Sequence, residues 1–258
     1  MFKNLFVGTL LAFGTLTSHA QALIPQPVQQ KKHEGYTDLT SNIQIITRLP
    51  KGEKNRLKSV ARAMFQQAPR SPRKLVIQLL TDRKPTDAWN NAALQGYRLQ
   101  VGKDTIRVEA PSGMGVFYGL QTLSQLIEHN RIPCTTITDR PKYAHRGFML
   151  DCSRHFWSVD FIKKQLDAMA FFKLDRFHFH LTDGGGWRLE IKKYPELTRK
   201  TAFRSHADWD KWIDNGRKFC NPNDANAYGG YYSQEQIRDI VAYARERYIT
   251  VIPEIEMP

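Results

Sequence analysis

The chain has 258 residues, 38 Lys and Arg against 25 Asp and Glu, and a formal charge of +13. Its basic residues are scattered among acids and form no nucleic-acid-binding motif, so the charge reads as a solvated surface and argues against a nucleic-acid partner. Three cysteines allow at most one internal disulfide and leave a thiol over.

At the N-terminus, Lys3 precedes an apolar run from Leu5 to Leu16 and then Ser18-His19-Ala20-Gln21-Ala22. This pattern predicts a secretory leader over 1–22, cut after Ala22. The apolar core is too short for the ~20 apolar residues that cross a bilayer. No cysteine lies near the cut to carry a lipid, so an exported protein without a membrane span is expected, in the periplasm or outside the cell. Cleavage removes Lys3 alone among the charges and takes +13 to +12.

Residues 23–140 read as a mixed alpha/beta domain. Leu23 to Gly35 is a lead-in rich in Pro and Gln. Asn42 to Arg48 reads as a strand, Asn55 to Gln67 as a helix and Lys74 to Thr81 as a strand. Gly96 to Gly102 and Asp104 to Ala110 alternate apolar and polar residues about a Gly102-Lys103-Asp104 corner, as in a hairpin. Ser112 can cap a helix whose stripe is Val116, Phe117, Leu120, Leu123 and Ile127. Gly113, Gly115 and Gly119 each cost that helix about 1 kcal/mol relative to Ala, so they predict close packing against a sheet. No Lys follows them and the spacing is not that of a phosphate loop.

Asp139-Arg140-Pro141 marks a boundary, and residues 141–258 form a second segment built on the stretch from Tyr143 to Tyr194. Arg146 to Asp151 is a short apolar run flanked by charge, as in a buried parallel strand. Ser158 can cap a helix with Asp160 in its first turn and Ile162, Leu166, Met169 and Phe172 on one face. Arg176 to Thr182 alternates, Phe177, Phe179 and Leu181 on one side and His178, His180 and Thr182 on the other. Asp151 and Asp183 then stand at two strand ends, where a barrel gathers its functional residues. Beyond a long polar stretch from Lys200 to Tyr232, Ser233 and Gln236 form a capping box. Ile237, Ile240, Val241 and Ala244 make a helix stripe, and Ile249 to Ile255 reads as a third buried strand. Three strands and two helices fall short of the eight of each that close a (β/α)8 barrel.

Arg146-Gly147-Phe148-Met149-Leu150-Asp151, Ser153-Arg154-His155-Phe156, His178-Phe179-His180-Leu181-Thr182-Asp183, Gly186-Trp187-Arg188 and Pro253-Glu254-Ile255-Glu256-Met257-Pro258 follow one another in an order that resembles the family 20 glycoside hydrolases, the beta-N-acetylhexosaminidases. Gly96-Tyr97-Arg98-Leu99 and the run from Gly115 to Leu123 resemble the noncatalytic alpha/beta domain that precedes the barrel in that family. The resemblance implies an α/β fold, that noncatalytic domain followed by about three strands of a TIM (β/α)8 barrel. It implies an enzyme that removes terminal nonreducing N-acetylhexosamine from glycans by a retaining mechanism in which the substrate's own acetamide is the nucleophile.

The resemblance also implies roles for single residues. Arg146 would bind hydroxyls of the terminal sugar, although strand direction by itself favours Asp151 for the barrel mouth. Asp175, Asp183, Glu254 and Glu256 would support the pocket, and no cofactor and no metal are implied. The family's adjacent Asp-Glu pair is absent after Tyr143, so no catalytic residue is assigned within this chain, and Gly184-Gly185 stands where relatives often carry Asp-Gln. Two other readings compete. An inactive, sugar-binding remnant accounts for the missing pair. A metal-dependent amidohydrolase barrel accounts for His178 and His180, two residues apart on one strand face, with Asp183 near them.

Overall fold

The computed structural model describes residues 22–81 and 92–256. The expected leader lies outside them apart from Ala22, as do Met257 and Pro258 of the last motif. Chain order runs β1 (Gln29–Asp38), β2 (Ile43–Arg48), α1 (Lys51–Phe65), β3 (Leu75–Thr81), a 3-10 turn at Ala92–Gln95, β4 (Tyr97–Val101), β5 (Thr105–Ala110), α2 (Gly113–Gln125) and β6 (Arg131–Asp139). These six strands make one sheet in the order β1-β6-β4-β5-β3-β2, with β2, β3 and β5 mutually parallel and β4, β6 and β1 antiparallel to their neighbours.

A second, three-stranded parallel sheet follows. It contains β7 (Gly147–Asp151), β8 (Arg176–His180) and β13 (Thr250–Glu254), in the order β13-β8-β7. The crossovers are α3 (Val159–Phe171) and α6 (Gln234–Arg245), which pack on one another. Between β8 and α6 come a hairpin of β9 (Thr182–Asp183) and β10 (Gly186–Trp187), α4 (Glu196–Thr201), α5 (Trp209–Asp214), and a short ribbon of β11 (Phe203–Arg204) with β12 (Tyr228–Gly229).

Local signals place the helices. The Ser112, Ser158 and Ser233 side chains accept from the backbone N–H groups of Gly115, Phe161 and Gln236, and Gln236 closes the capping box on α6. Packing then decides which faces are covered. α2 is buried nearly all round rather than along one stripe, because it lies between β3, β4 and β5 on one side and α3 on the other. Its glycines permit that approach: a Cβ on Gly115 would strike the Gly96 carbonyl and stand 2.8 Å from Cβ of Ala110, and one on Gly119 would stand 2.5 Å from Cγ1 of Val108.

Several expectations are corrected. The lead-in to Gly35 already contains most of β1, a long edge strand paired with β6; almost all its side chains are exposed, so it lacks an alternating signal. β8 stops at His180, and Thr182 turns away to pair with Trp187 across the glycine-rich hairpin. α1 begins at Lys51, immediately after Pro50. Phe172 falls past the end of α3 and is 41% exposed, while Ala170 joins Ile162, Leu166 and Met169 in the buried face. Lys173, with φ of 60°, ends the helical path there. No helix among the described residues is long and apolar enough to cross a membrane.

Candidate active site

Because β7, β8 and β13 run parallel, their C-terminal ends meet on one side. Asp151 ends β7, and its Oδ1 accepts from the backbone N–H groups of Ser153 (3.0 Å) and Arg154 (2.9 Å). The chain therefore turns tightly and returns Arg154 over its own strand end. Nη1 of Arg154 donates to Oδ2 of Asp151 at 2.7 Å, and Nη2 donates to Oδ2 of Asp183 from the β9 turn. An exposed guanidinium thus bridges two carboxylates at adjacent strand ends. Burial opposes ionisation of Asp151, but the backbone and side-chain hydrogen bonds from Arg154 outweigh it and hold the carboxyl below its usual range.

One strand further, Oε2 of Glu254 contacts Nε2 of His178 at 2.7 Å and Nδ1 of His180 at 2.6 Å, and Nε2 of His180 lies 3.4 Å from Oδ2 of Asp183. The His180 ring is buried, which disfavours its cation, yet hydrogen bonding to Glu254 and the charge of Asp151 win and raise its pKa. Hydrogen bonding from His180 is the main cause that lowers Glu254. The backbone N–H of Glu256 donates to Oγ1 of Thr182 at 2.7 Å, which ties the end of β13 to the hairpin. Ligand atoms of His180, Glu254 and Glu256 come within 4.8 Å of one another, so these three could hold a metal. His178 is not in that group; the two histidines share a carboxylate oxygen, not an empty ligand position.

Asp183, Glu254 and Glu256 are therefore brought together, and Arg146 and Asp175 are not among them. Arg146 precedes β7 and Asp175 precedes β8, at the opposite ends of strands that span about 15 Å. The Arg146 guanidinium donates to the carbonyls of Lys173 (2.8 Å) and Tyr143 (2.7 Å), to Oε1 of Gln95 (2.8 Å) and to the Tyr118 hydroxyl (3.0 Å). Its Nη2 also lies 3.3 Å from Oδ2 of Asp175, whose side chain is 0% exposed and pairs with Arg176 as well. Gln95 ends the 3-10 turn before β4, and Tyr118 lies on α2, which packs against the six-stranded sheet to form one layer with it. The geometry thus makes Arg146 a clamp between the two layers, and Asp175 its buried counter-charge, both at the far end of the strands from Asp183, Glu254 and Glu256.

The loops at the mouth are set by a residue without an assigned role in the sequence reading. Arg188 is fully buried, and its guanidinium donates to the carbonyls of Cys152, Ser153, Gly185, Ala202 and Gly230. It thereby joins the β7 turn, the β9–β10 hairpin and the β11–β12 ribbon. Burial, helped by the neighbouring charge of Arg204, pushes its pKa down to about 10. Cys152 is buried, and burial pushes its thiol up to about 12, so it is packing and not a nucleophile. Arg154 and Arg188 both sat inside motifs visible in the sequence; strand direction is the signal that separates Arg154, after its strand, from Arg146, before it.

Two family models match the chain, "Glycosyl hydrolase family 20, domain 2" over residues 20–140 and "Glycosyl hydrolase family 20, catalytic domain" over residues 143–258. A beta-hexosaminidase of Porphyromonas gingivalis is 45% identical over 175 residues, which is 64% of this chain and 20% of the relative. One of Vibrio vulnificus is 32% identical over 245 residues, 92% of this chain and 27% of the relative. Among solved structures, the GH20 exo beta-N-acetylglucosaminidase of Vibrio harveyi in complex with N-acetylglucosamine matches with a TM-score of 0.70 and 34% identity, covering 92% of this chain and 36% of that one. The GH20 beta-N-acetylhexosaminidase of Streptomyces coelicolor A3(2) matches with a TM-score of 0.72 and 28% identity, over 93% and 47%. The chain spans 20% to 34% of the length of the first curated relatives it matches. With both of its segments matched in order, the chain belongs to glycosyl hydrolase family 20.

Proposed function

We propose that this chain supplies the noncatalytic domain and the first three strands of the (β/α)8 barrel of a beta-N-acetylhexosaminidase, which removes terminal nonreducing N-acetylhexosamine from glycans. The reaction would be the retaining, substrate-assisted one, with the acid and the acetamide-orienting aspartate supplied from beyond these 258 residues. The observation that carries the reading is Arg154, an exposed fork held between Asp151 and Asp183 at the C-terminal ends of two parallel strands. Such a fork donates to vicinal sugar hydroxyls while its carboxylates accept from others, a pattern suited to a pyranose ring. Arg154, and not the Arg146 that the resemblance implied, then binds the hydroxyls of the terminal sugar. Export to the periplasm or beyond belongs to the same proposal, and sequencing the N-terminus of the exported product should find Leu23 first.

The test is calorimetric titration of the 258-residue chain with N-acetylglucosamine, alongside an assay with a chromogenic N-acetylglucosaminide. Binding without turnover is expected, since general acid catalysis worth about 10² to 10⁴ in rate has no donor here. Arg154→Ala should weaken binding about 10-fold or more, for the loss of charge-assisted bonds worth about 1.5 to 3 kcal/mol. Turnover by the purified chain, or unchanged affinity in Arg154→Ala, would overturn the proposal.

A further inference from the structure

Helices α1 and α2 pack on one face of the six-stranded sheet, where Leu79, Leu99, Val108 and Ile137 are buried and a Cβ on Gly119 would meet Val108 and Tyr97. Side chains alternate along a strand, so the neighbours of those residues point to the other face. There the cross-strand register lines up Arg48, Leu80, Glu109, Arg98 and Thr138, one each from β2, β3, β5, β4 and β6, in a single row. Arg48, Arg98 and Thr138 are exposed.

Along that row lies a cavity of about 540 Å³, within the range of ligand sites. Arg48, Arg98, Arg107 and Arg140 line it, and Leu80 and Pro111 add apolar surface. The two acids beside it are already engaged. Glu109 accepts from Nη2 of Arg107 at 2.6 Å, and Oδ2 of Asp139 accepts from the Tyr97 hydroxyl (2.9 Å) and from Nζ of Lys173 (3.3 Å). Among the described residues, nothing accepts a hydrogen bond from the guanidinium of Arg48, Arg98 or Arg140, and Nε of Arg107, shielded from solvent, has no acceptor either. Four guanidinium groups around one cavity repel each other, and an anion among them offsets that repulsion.

We infer that this cavity is a docking site for an acidic polysaccharide, whose sulfate and carboxylate groups meet the guanidinium forks while its hydroxyls meet Thr138. The spacing calls for more than one anionic group. The strands that carry Arg48 and Arg98 are three steps apart, ~14 Å across the sheet, a span covered by charges repeated along a chain and not by one small ion. A nucleic acid fits less well, because among the described residues the aromatic lining is Tyr97 alone, which is buried and offers no face to a base. A chain of a glycosyl hydrolase family works among glycans, which makes an acidic glycan rather than an acidic protein the polymer it meets. The cavity shares no residue with the strand-end site, so the inference goes beyond the proposed function and does not depend on it.

The test titrates the 258-residue chain with a heparin-derived tetrasaccharide, with the same tetrasaccharide after desulfation and carboxyl reduction, with inorganic sulfate, and with a polyglutamate of equal charge. The acidic tetrasaccharide should bind, roughly 10-fold or more tighter than its neutralised form, and more weakly as salt rises. Arg98→Gln with Arg140→Gln should weaken it about 10-fold, the low end for losing charge-assisted hydrogen bonds. Arg98→Lys with Arg140→Lys keeps the charge but not the fork and should restore only part of the affinity. Arg48→Gln serves as the measurement if the paired variants do not fold. Lys54→Gln with Arg62→Gln, exposed cations on α1, removes as much charge and should change binding less than about twofold, as expected of screened surface charges. An equal loss in that control would mean that net charge alone attracts the glycan. Equally tight polyglutamate would mean that no glycan is selected, and displacement by inorganic sulfate at equal concentration would mean an adventitious ion only. Each of these overturns the inference, as does failure of the acidic tetrasaccharide to bind, whereas the proposed function is read separately from N-acetylglucosamine.

Discussion

Replacing Arg146 with Met separates a clamp from a sugar ligand. The substitution keeps a long apolar stem but removes four hydrogen bonds and the ion pair to Asp175. Breaking a buried pair from one side costs about 3 to 5 kcal/mol, because a charge is left without compensation in a poor solvent. Asp175 still has Arg176 at 3.3 Å and the Arg146 backbone N–H at 2.8 Å, so the lower end, about 3 kcal/mol, applies. For a chain of this size that lowers the melting temperature by about 6 to 12 °C. Adding Asp175→Asn to Arg146→Met removes the stranded charge, so the double variant should be less destabilised than the two single losses combined. Thermal and urea unfolding read both quantities, and N-acetylglucosamine affinity measured below the transition should not change. Unchanged stability together with a 10-fold loss of sugar affinity would refute the clamp and return Arg146 to the sugar.

Two further outcomes follow from packing and charge. Gly115→Ala should destabilise by about 1 to 3 kcal/mol by overpacking against the Gly96 carbonyl, despite the ~1 kcal/mol gain in helix propensity. Gly52→Ala in α1, where a Cβ would meet nothing within 4 Å, should stabilise by up to ~1 kcal/mol, so urea titrations of the pair give opposite signs. The Glu254–His180 contact sets a pH window. A raised His180 pKa contributes stability that is present below its unfolded value of about 6.5 and is lost as pH rises through the folded value. A lowered Glu254 pKa contributes stability present above about 4.3 and lost as pH falls through the folded value. Melting temperature against pH should therefore show this contribution at its fullest between about 4.3 and 6.5, and His180→Gln should flatten that feature.

Much of the molecule was written locally. The Ser112, Ser158 and Ser233 caps and the apolar spacing of Ile162, Leu166 and Met169 act within one or two helical turns, so the chain states them without reference to the fold. The strand, helix, strand unit from Gly147 to His180 was legible for the same reason, and its direction placed Asp151 at the mouth. Other features depend on partners distant in sequence. β1 exists because β6, about a hundred residues on, pairs with it, and its exposed side chains carry no trace of that pairing. Whether Arg146 or Arg154 reaches the site depends on where Gln95, Tyr118 and Asp175 come to rest against the first and where Asp183 rests against the second. The carbonyl shell of Arg188 likewise appears only when three loops converge. A guanidinium has the same five donors wherever it stands, so sequence names the group, and tertiary structure alone decides whether its partners are backbone, a buried carboxylate or the solvent at a barrel mouth.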